Sequence, residues 1–463
     1  MSCAVVRAIA ATVAAALFAT LSATASFALE IKRMKLSNGA ILLVSEQHQL
    51  PMVSLSIAFD AGSRRDPAGK EGLASLTAAS LEQGTKDLTA AQFNQKVDFM
   101  GSTISIATDR DYAYASMTAL KKYEDDTLHL LAQSLENPGL RDSDIVRKRG
   151  EQVADIKSSE EEPGYAASVA FVKQMFGNGP YGHPDEGFSQ SVAGITPADV
   201  GNFYHQYYRT GSAVIAVAGD VDADSVKGKL EKELAGLPGT VTAQAAPAAP
   251  SVPQGIHANL INRNVAQANM ILGSGGIARS NPDYYKLQVM NYILGGGGFA
   301  SRLVKVVRSK GGLAYSIESG FSASKFPGSF EVVLQTKNQS AQEALRLIVG
   351  QLHDIQNEPV SDAEIGSAKK FLVGSFPLRL DRQSQIVSFM LDIELYNLGL
   401  DYADRYPKLI DAVTKDEIQQ VAKQYLHPEA LDLIAVANQA EAKITPGALI
   451  ASTATASNWV LRR

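Results

Sequence analysis

Cysteine is nearly absent from this 463-residue chain, and the single one, Cys3, lies in the N-terminal stretch. A mature chain without that stretch can form no disulfide, whatever the redox state of its compartment. Histidine is also sparse. His48, His129, His183, His205, His257, His353 and His427 stand singly, and no two have the i,i+4 spacing that puts a pair of imidazoles on one helix face. A metal site built from distant histidines stays open on sequence alone. No basic stripe is present, which argues against a nucleic-acid partner. No G-x-S-x-G elbow offers a serine nucleophile. The Gly295-Gly296-Gly297-Gly298 run is not followed by Lys-Ser/Thr, so a phosphate-binding loop is unsupported.

The remaining composition is that of a folded protein. Hydrophobic residues make up 45% and charged residues 20%, a soluble globular balance without a disorder signature. The length exceeds one ordinary core, so two or more domains are expected. The first 28 residues differ: Arg7 precedes an apolar run from Ala8 to Leu21, then small residues in Ala23-Thr24-Ala25 and Ser26-Phe27-Ala28. This is the pattern of a secretory signal, with cleavage after Ala25 or Ala28. The run is shorter than the roughly 20 residues that a spanning helix needs, so no membrane anchor is expected after cleavage. The expected location is periplasmic or secreted. Removal of Arg7 takes the formal net charge from −5 to −6.

Between residues 236 and 254 the sequence turns to Pro, Ala, Thr and Gln, a linker composition. The expected organisation is a signal over 1–28, a first domain over 29–235, this linker, and a second domain over 255–463. The flanking halves echo one another. Ile195-Thr196-Pro197 leads through Gln206-Tyr207 to Val214-Ile215-Ala216-Val217-Ala218, and Val413-Thr414-Lys415 leads through Gln424-Tyr425 to Leu433-Ile434-Ala435-Val436-Ala437. Each copy reads as a Thr-capped amphipathic helix, a short turn and a continuous apolar strand. Upstream, Ile41–Val44 and Val53–Phe59 read as strands, and 72–81 as a helix with Leu73, Leu76, Thr77 and Leu81 on one side. Ser102–Thr108 and Tyr112–Thr118 read as paired strands, and Asp125–Leu135 as a helix. Glu160-Glu161-Glu162, before Pro163, reads as a solvated loop. The expected fold class is α+β: two homologous sandwich domains, each an antiparallel or mixed sheet covered by helices.

Two motif groups carry the chemistry. The first is Gly62-Ser63-Arg64-Arg65-Asp66 followed by Gly72-Leu73-Ala74-Ser75-Leu76-Thr77-Ala78-Ala79 and Gly84-Thr85. The second is Leu294 and the four glycines, Ser301-Arg302-Leu303, Arg308, and Gly312-Leu313-Ala314-Tyr315-Ser316, with Arg308 seven positions before Tyr315. Pro180-Tyr181-Gly182-His183-Pro184 and Ala218-Gly219-Asp220-Val221 stand between them. Together these resemble the pitrilysin/insulinase-type zinc peptidases over nearly the whole chain from Met34 onward.

That resemblance implies two metallopeptidase-like domains facing each other across a cavity. Active members carry H-x-x-E-H in the first frame. The ligand positions here are Ser75 and Ala79, the general-base position is Ala78, and the third ligand position is best matched by Asp155. A methyl group neither binds zinc nor takes a proton from water, so no metal is expected in this chain. The resemblance further implies that Arg308 and Tyr315 hold the substrate carbonyl beside the Gly295–Gly298 turn, because both can donate hydrogen bonds to a developing oxyanion. Some members divide labour between two chains, as in mitochondrial processing peptidase and in bacterial two-subunit peptidases whose metal-free chain keeps the Arg/Tyr pair.

The expected function is therefore the non-catalytic, peptide-binding subunit of a heterodimeric zinc metallopeptidase, inactive alone, with zinc in a homologous H-x-x-E-H partner. Two alternatives stand beside it: a non-proteolytic scaffold or peptide-binding protein on the same fold, and an independent peptidase with a different metal site.

Overall fold

The computed structural model describes residues 29–239, 246–247, 250 and 253–451; the expected signal stretch over 1–28 and much of the Pro/Ala-rich segment lie outside them. Residues from Ile31 onward form one compact unit. It contains two sheets, with helices packed on both. The first sheet comprises β1 (Lys32–Lys35), β2 (Ile41–Glu46), β3 (Met52–Phe59), β4 (Thr103–Thr108), β5 (Ala113–Leu120) and β6 (Val214–Gly219), in the order β1-β2-β6-β3-β5-β4. The second comprises β7 (His257–Asn262), β8 (Gln267–Gly275), β9 (Ala314–Phe321), β10 (Ser329–Lys337) and β11 (Asp432–Ala437), in the order β7-β11-β8-β10-β9.

The order of the second sheet repeats that of the first with β1 removed. In each, the apolar strand of the sequence echo lies at the same place: β6 is parallel to β2 and antiparallel to β3, and β11 is parallel to β7 and antiparallel to β8. Both strands are buried along their whole length. The helices before them start as the sequence implies. Thr196 accepts from the Asp199 N–H and Thr414 from the Glu417 N–H, and in both cases the acid returns the bond to the cap's own N–H.

The cover of the sheets is exchanged between the halves. Four further helices matter here: α1 (Leu73–Leu81), α2 (Asp142–Glu161), α3 (Pro163–Phe176) and, in the second half, α4 (Gln383–Leu395). Ala167, Phe171 and Met175 of α3, a first-half helix, pack on Ile271, Ile434 and Val436 of the second sheet. In return α4 lies on β3 and β6 of the first sheet, and Glu394 receives both Arg33 nitrogens at 2.8 and 2.9 Å. Small residues allow this approach. Val53, Leu55, Ile57 and Phe59 of β3 enter the first core, while Ser54 and Ser56 on the other face pair with Thr118 and Ser116 at 3.0 and 2.8 Å.

One local expectation needs correction. Glu160 and Glu161 are exposed, but they belong to the last turn of α2 rather than to a loop; with Pro163 opening α3, the chain breaks only at Glu162. Helix α1 has no polar side: of Leu73–Leu81 only Ser75 and Ala79 are not buried. Burial of Thr77 and Ser80 is tolerated because their hydroxyls donate to the Leu73 and Leu76 carbonyls, at 2.8 and 2.7 Å.

In the second half, Arg302 of the Ser-Arg-Leu segment is occupied structurally. It makes a bidentate pair with Glu364 at 2.7 and 3.1 Å. Burial alone would raise the Glu364 carboxyl, but the Arg302 and Ser361 hydrogen bonds outweigh it and bring it down to about 2. A depressed acid contributes stability that is full above its unfolded value, about 4.5, and is lost as pH falls toward 2. Glu364→Gln is accordingly expected to lower the thermal midpoint at pH 7. The gap to wild type should close between about pH 5 and pH 2. A pH-independent gap in melting curves would contradict the assignment.

Candidate functional site

The first motif group builds a scaffold. Gly62 approaches the next segment so closely that a Cβ would sit 2.4 Å from the Asp111 carbonyl carbon and the Tyr112 nitrogen. The arginines that follow are buried and paired. Arg64 binds Asp60 and lies 3.2 Å from Asp111, and Arg65 binds Asp60 from the other side. Asp66 accepts the Gly72 and Ala74 N–H groups, both at 2.7 Å, and so anchors the start of α1. Burial pushes its carboxyl well up against these two bonds. The Pro180–Pro184 segment serves the same core, since Tyr181 is buried and its hydroxyl donates to Asp111 at 2.6 Å.

On this scaffold the half-buried positions of α1, Ser75 and Ala79, still lie one turn apart on a common face. They carry no zinc ligand. Ala78 is sealed in the core, and Asp155 is exposed on α2. Among the described residues no group of three or more His, Cys, Asp or Glu side chains is placed to hold a metal ion. The residues present therefore do not fit a zinc peptidase centre, and no hydrolytic step can be derived from this half. The purified mature chain is expected to hold no stoichiometric zinc and to cleave no peptide. Elemental analysis and a peptidase assay check this: about one zinc per chain with chelator-sensitive turnover would refute it.

The second motif group forms an open groove at the edge of the second sheet. The helix Tyr284–Asn291 widens into a π-type turn over Tyr292–Gly296, a distortion frequent at functional sites. Gly295 passes so close to β9 that a Cβ would sit 2.3 Å from the Ser319 hydroxyl oxygen. Gly298 has φ +56° and turns the chain. A second wide-turn helix, Val304–Lys310, carries Arg308, and Gly312 at φ +62° turns into β9, whose second residue is Tyr315.

Gly295, Gly296, Gly298, Arg308, Ser316 and Glu318 share one cavity of about 350 Å³. Gly297 and Tyr315 are not part of its wall; Tyr315 stands beside Ser316 with 71% of its surface exposed. The Arg308 guanidinium lies 5.1 Å over the exposed Phe299 ring, and among the described residues neither it nor the Tyr315 hydroxyl has a side-chain hydrogen bond or ion pair within the chain. The strand beneath them is an edge, so its outer N–H and C=O groups have no neighbouring strand. Asn291 covers part of that edge: its amide donates to the Ser319 carbonyl at 3.0 Å and accepts from the Ser319 hydroxyl at 2.7 Å. Sequence reasoning passed over Asn291, which stands four positions before Gly295 and has no motif of its own.

Comparison with known proteins bears on the family and the fold. Residues 42–185 match the family model described as Insulinase (Peptidase family M16), and residues 194–372 match that described as Peptidase M16 inactive domain. A Helicobacter pylori protein named a non-peptidase homolog is 25% identical over 87% of this chain and 93% of its own length. A Streptomyces coelicolor protein named an uncharacterized zinc protease is 26% identical over 86% of this chain and 87% of its own. A crystal structure described as a peptidase M16 inactive domain, from Pseudomonas fluorescens, is 27% identical and superposes with a TM-score of 0.83, covering 88% of this chain and 98% of that one. The chain belongs to the M16, or insulinase, peptidase family. Within that family it has two M16-type domains, the second matching the model described as inactive, and its zinc-ligand and base positions are held by Ser75, Ala79 and Ala78.

Proposed function

We propose that this chain is the substrate-binding subunit of a two-chain periplasmic zinc peptidase, and that the zinc belongs to a homologous partner carrying H-x-x-E-H. One observation carries the reading. Arg308 and Tyr315 stand exposed beside a glycine-lined groove, with no side-chain hydrogen bond or ion pair to the described residues, in a chain whose metal-site positions are Ser75, Ala78 and Ala79. Two hydrogen-bond donors at a sheet edge suit a peptide backbone, whose carbonyl they can hold while the edge strand lies alongside. A groove of this kind does chemical work only opposite a metal site. When bound in the partner, zinc supplies the Lewis acid and the activated water. Arg308 and Tyr315 supply donors to the carbonyl oxygen. The N-terminal 28-residue pattern supports export, and among the described residues no helix is long and apolar enough to cross a membrane.

The test is co-purification with the product of a neighbouring gene that encodes the zinc motif, followed by turnover assays of each chain and of the mixture. A stable complex whose activity greatly exceeds that of the partner alone is expected. Full activity of the partner without this chain would refute the dependence.

A further inference from the structure

The second half contains another cavity, of about 380 Å³, away from Arg308 and Tyr315. Its wall includes Arg279, Arg379, Ser388, Phe389, Asp392 and Tyr402. Arg279 is the unusual member. Its side chain is buried, with 9% of the residue exposed, yet among the described residues no carboxylate is within ion-pairing distance of it. It donates to the Tyr402 hydroxyl at 2.9 Å and lies 3.7 Å from the centre of the Tyr284 ring. Buried charges are ordinarily paired, because desolvation without a counter-ion is costly. Ring faces compensate only part of that cost. Arg379, on the same wall, is exposed and stacks over Phe376 and Tyr406, again with no acid partner among the described residues.

We infer that this cavity is a binding site for the free C-terminal carboxylate of a peptide with an apolar last residue. Two guanidiniums against the single acid Asp392 leave the wall net positive. Guanidinium groups match a carboxylate in planar, charge-assisted geometry. Phe389 and Tyr402, stacked at 5.7 Å, give the terminal side chain an apolar surface. Ser388 and Asp392, one turn apart on α4, can bond to the last peptide groups. Asp392 has an open demand for a donor: burial raises its carboxyl to about 6, the Arg279 field lowers it, and Asp109 raises it again. An amide N–H of the bound segment meets that demand.

The inference rests on the peptide-binding reading, and the experiment separates the two. Two fluorescein-labelled decapeptides ending in Phe, one with a free carboxylate and one amidated, are titrated with the full mature chain by fluorescence polarisation. The acid form is expected to bind at least about tenfold more tightly. Arg379→Gln, an exposed change that leaves the fold intact, should remove that preference without affecting the amide form. Arg279→Lys should weaken it even where its circular dichroism is that of wild type. Equal binding of acid and amide, or an undiminished preference in Arg379→Gln, overturns the carboxylate site and leaves the peptide-binding reading standing. Failure of both peptides to bind overturns both.

Discussion

A Tyr315→Phe chain is expected to assemble with its zinc-bearing partner as wild type does and to lower kcat by on the order of 100-fold. The size follows from the chemistry proposed for the hydroxyl. A donor aimed at a carbonyl oxygen that becomes an oxyanion bonds more strongly in the transition state than in the ground state, and losing one such donor costs about 10²–10³ in rate. Phenylalanine keeps the ring and removes only the oxygen, and that oxygen has no partner within the described chain. Folding has no evident reason to change. Arg308→Lys should also be damaging, since an ammonium does not reproduce the planar fork. A scaffold role predicts that neither substitution alters the partner's turnover. Wild-type kcat in an intact Tyr315→Phe complex would remove the proposed role and leave Tyr315 as an exposed strand residue.

The second large effect concerns stability. Asp111, with 2% of its surface exposed, joins segments that are distant in sequence. It accepts from the Tyr181 hydroxyl at 2.6 Å and from the Lys325 backbone N–H, in the second half, at 3.0 Å, and it pairs with Arg64 at 3.2 Å. Asp111→Ala leaves a buried phenol and a backbone N–H without their acceptor and deprives Arg64 of one of two acids. Removing one partner from a buried network costs about 3–5 kcal/mol, and the remaining Asp60 contact places this case near the lower end. Urea unfolding should show a midpoint lowered by a corresponding amount. A change within about 0.5 kcal/mol, the range of ordinary surface substitutions, would mean that Asp111 does not hold the halves together.

What could be read from the chain, and what could not, divides by the range of the interactions involved. The Thr196 and Thr414 helix starts and the strands after them follow from bonds closed within three or four residues and from runs of apolar side chains, both visible in the sequence. The emptied zinc frame is a matter of residue identity alone. Burial around α1 was not readable, because Ala, Ser and Thr carry little hydrophobic signal and are accepted in a core only once their hydroxyls find carbonyls. Nor was the exchange of α3 and α4, since each has the apolar positions of an ordinary amphipathic helix and nothing in that pattern names the sheet it will cover. Arg279 and Asp111 lack any periodic signal; their meaning comes from neighbours 70 to 214 residues away, Tyr402 for the first and Tyr181 with Lys325 for the second.

The exchange of covering helices also sets the order in which the protein can become safe from aggregation. During synthesis β3 and β6 can pair as soon as Gly219 has emerged, but the helix that covers their second face begins only at Gln383. At about 5–20 residues per second the intervening chain takes on the order of 10 to 30 s to appear, during which a sheet face of small side chains, Ser54, Ser56, Ala216 and Ala218 among them, lacks the helix that buries it. The same holds after any transport in an unfolded form, on the timescale of refolding rather than translation. A fragment ending in the Pro/Ala-rich segment would keep that face bare permanently and would present α3 with no sheet to rest on, so each half depends on the other for solubility as well as for shape.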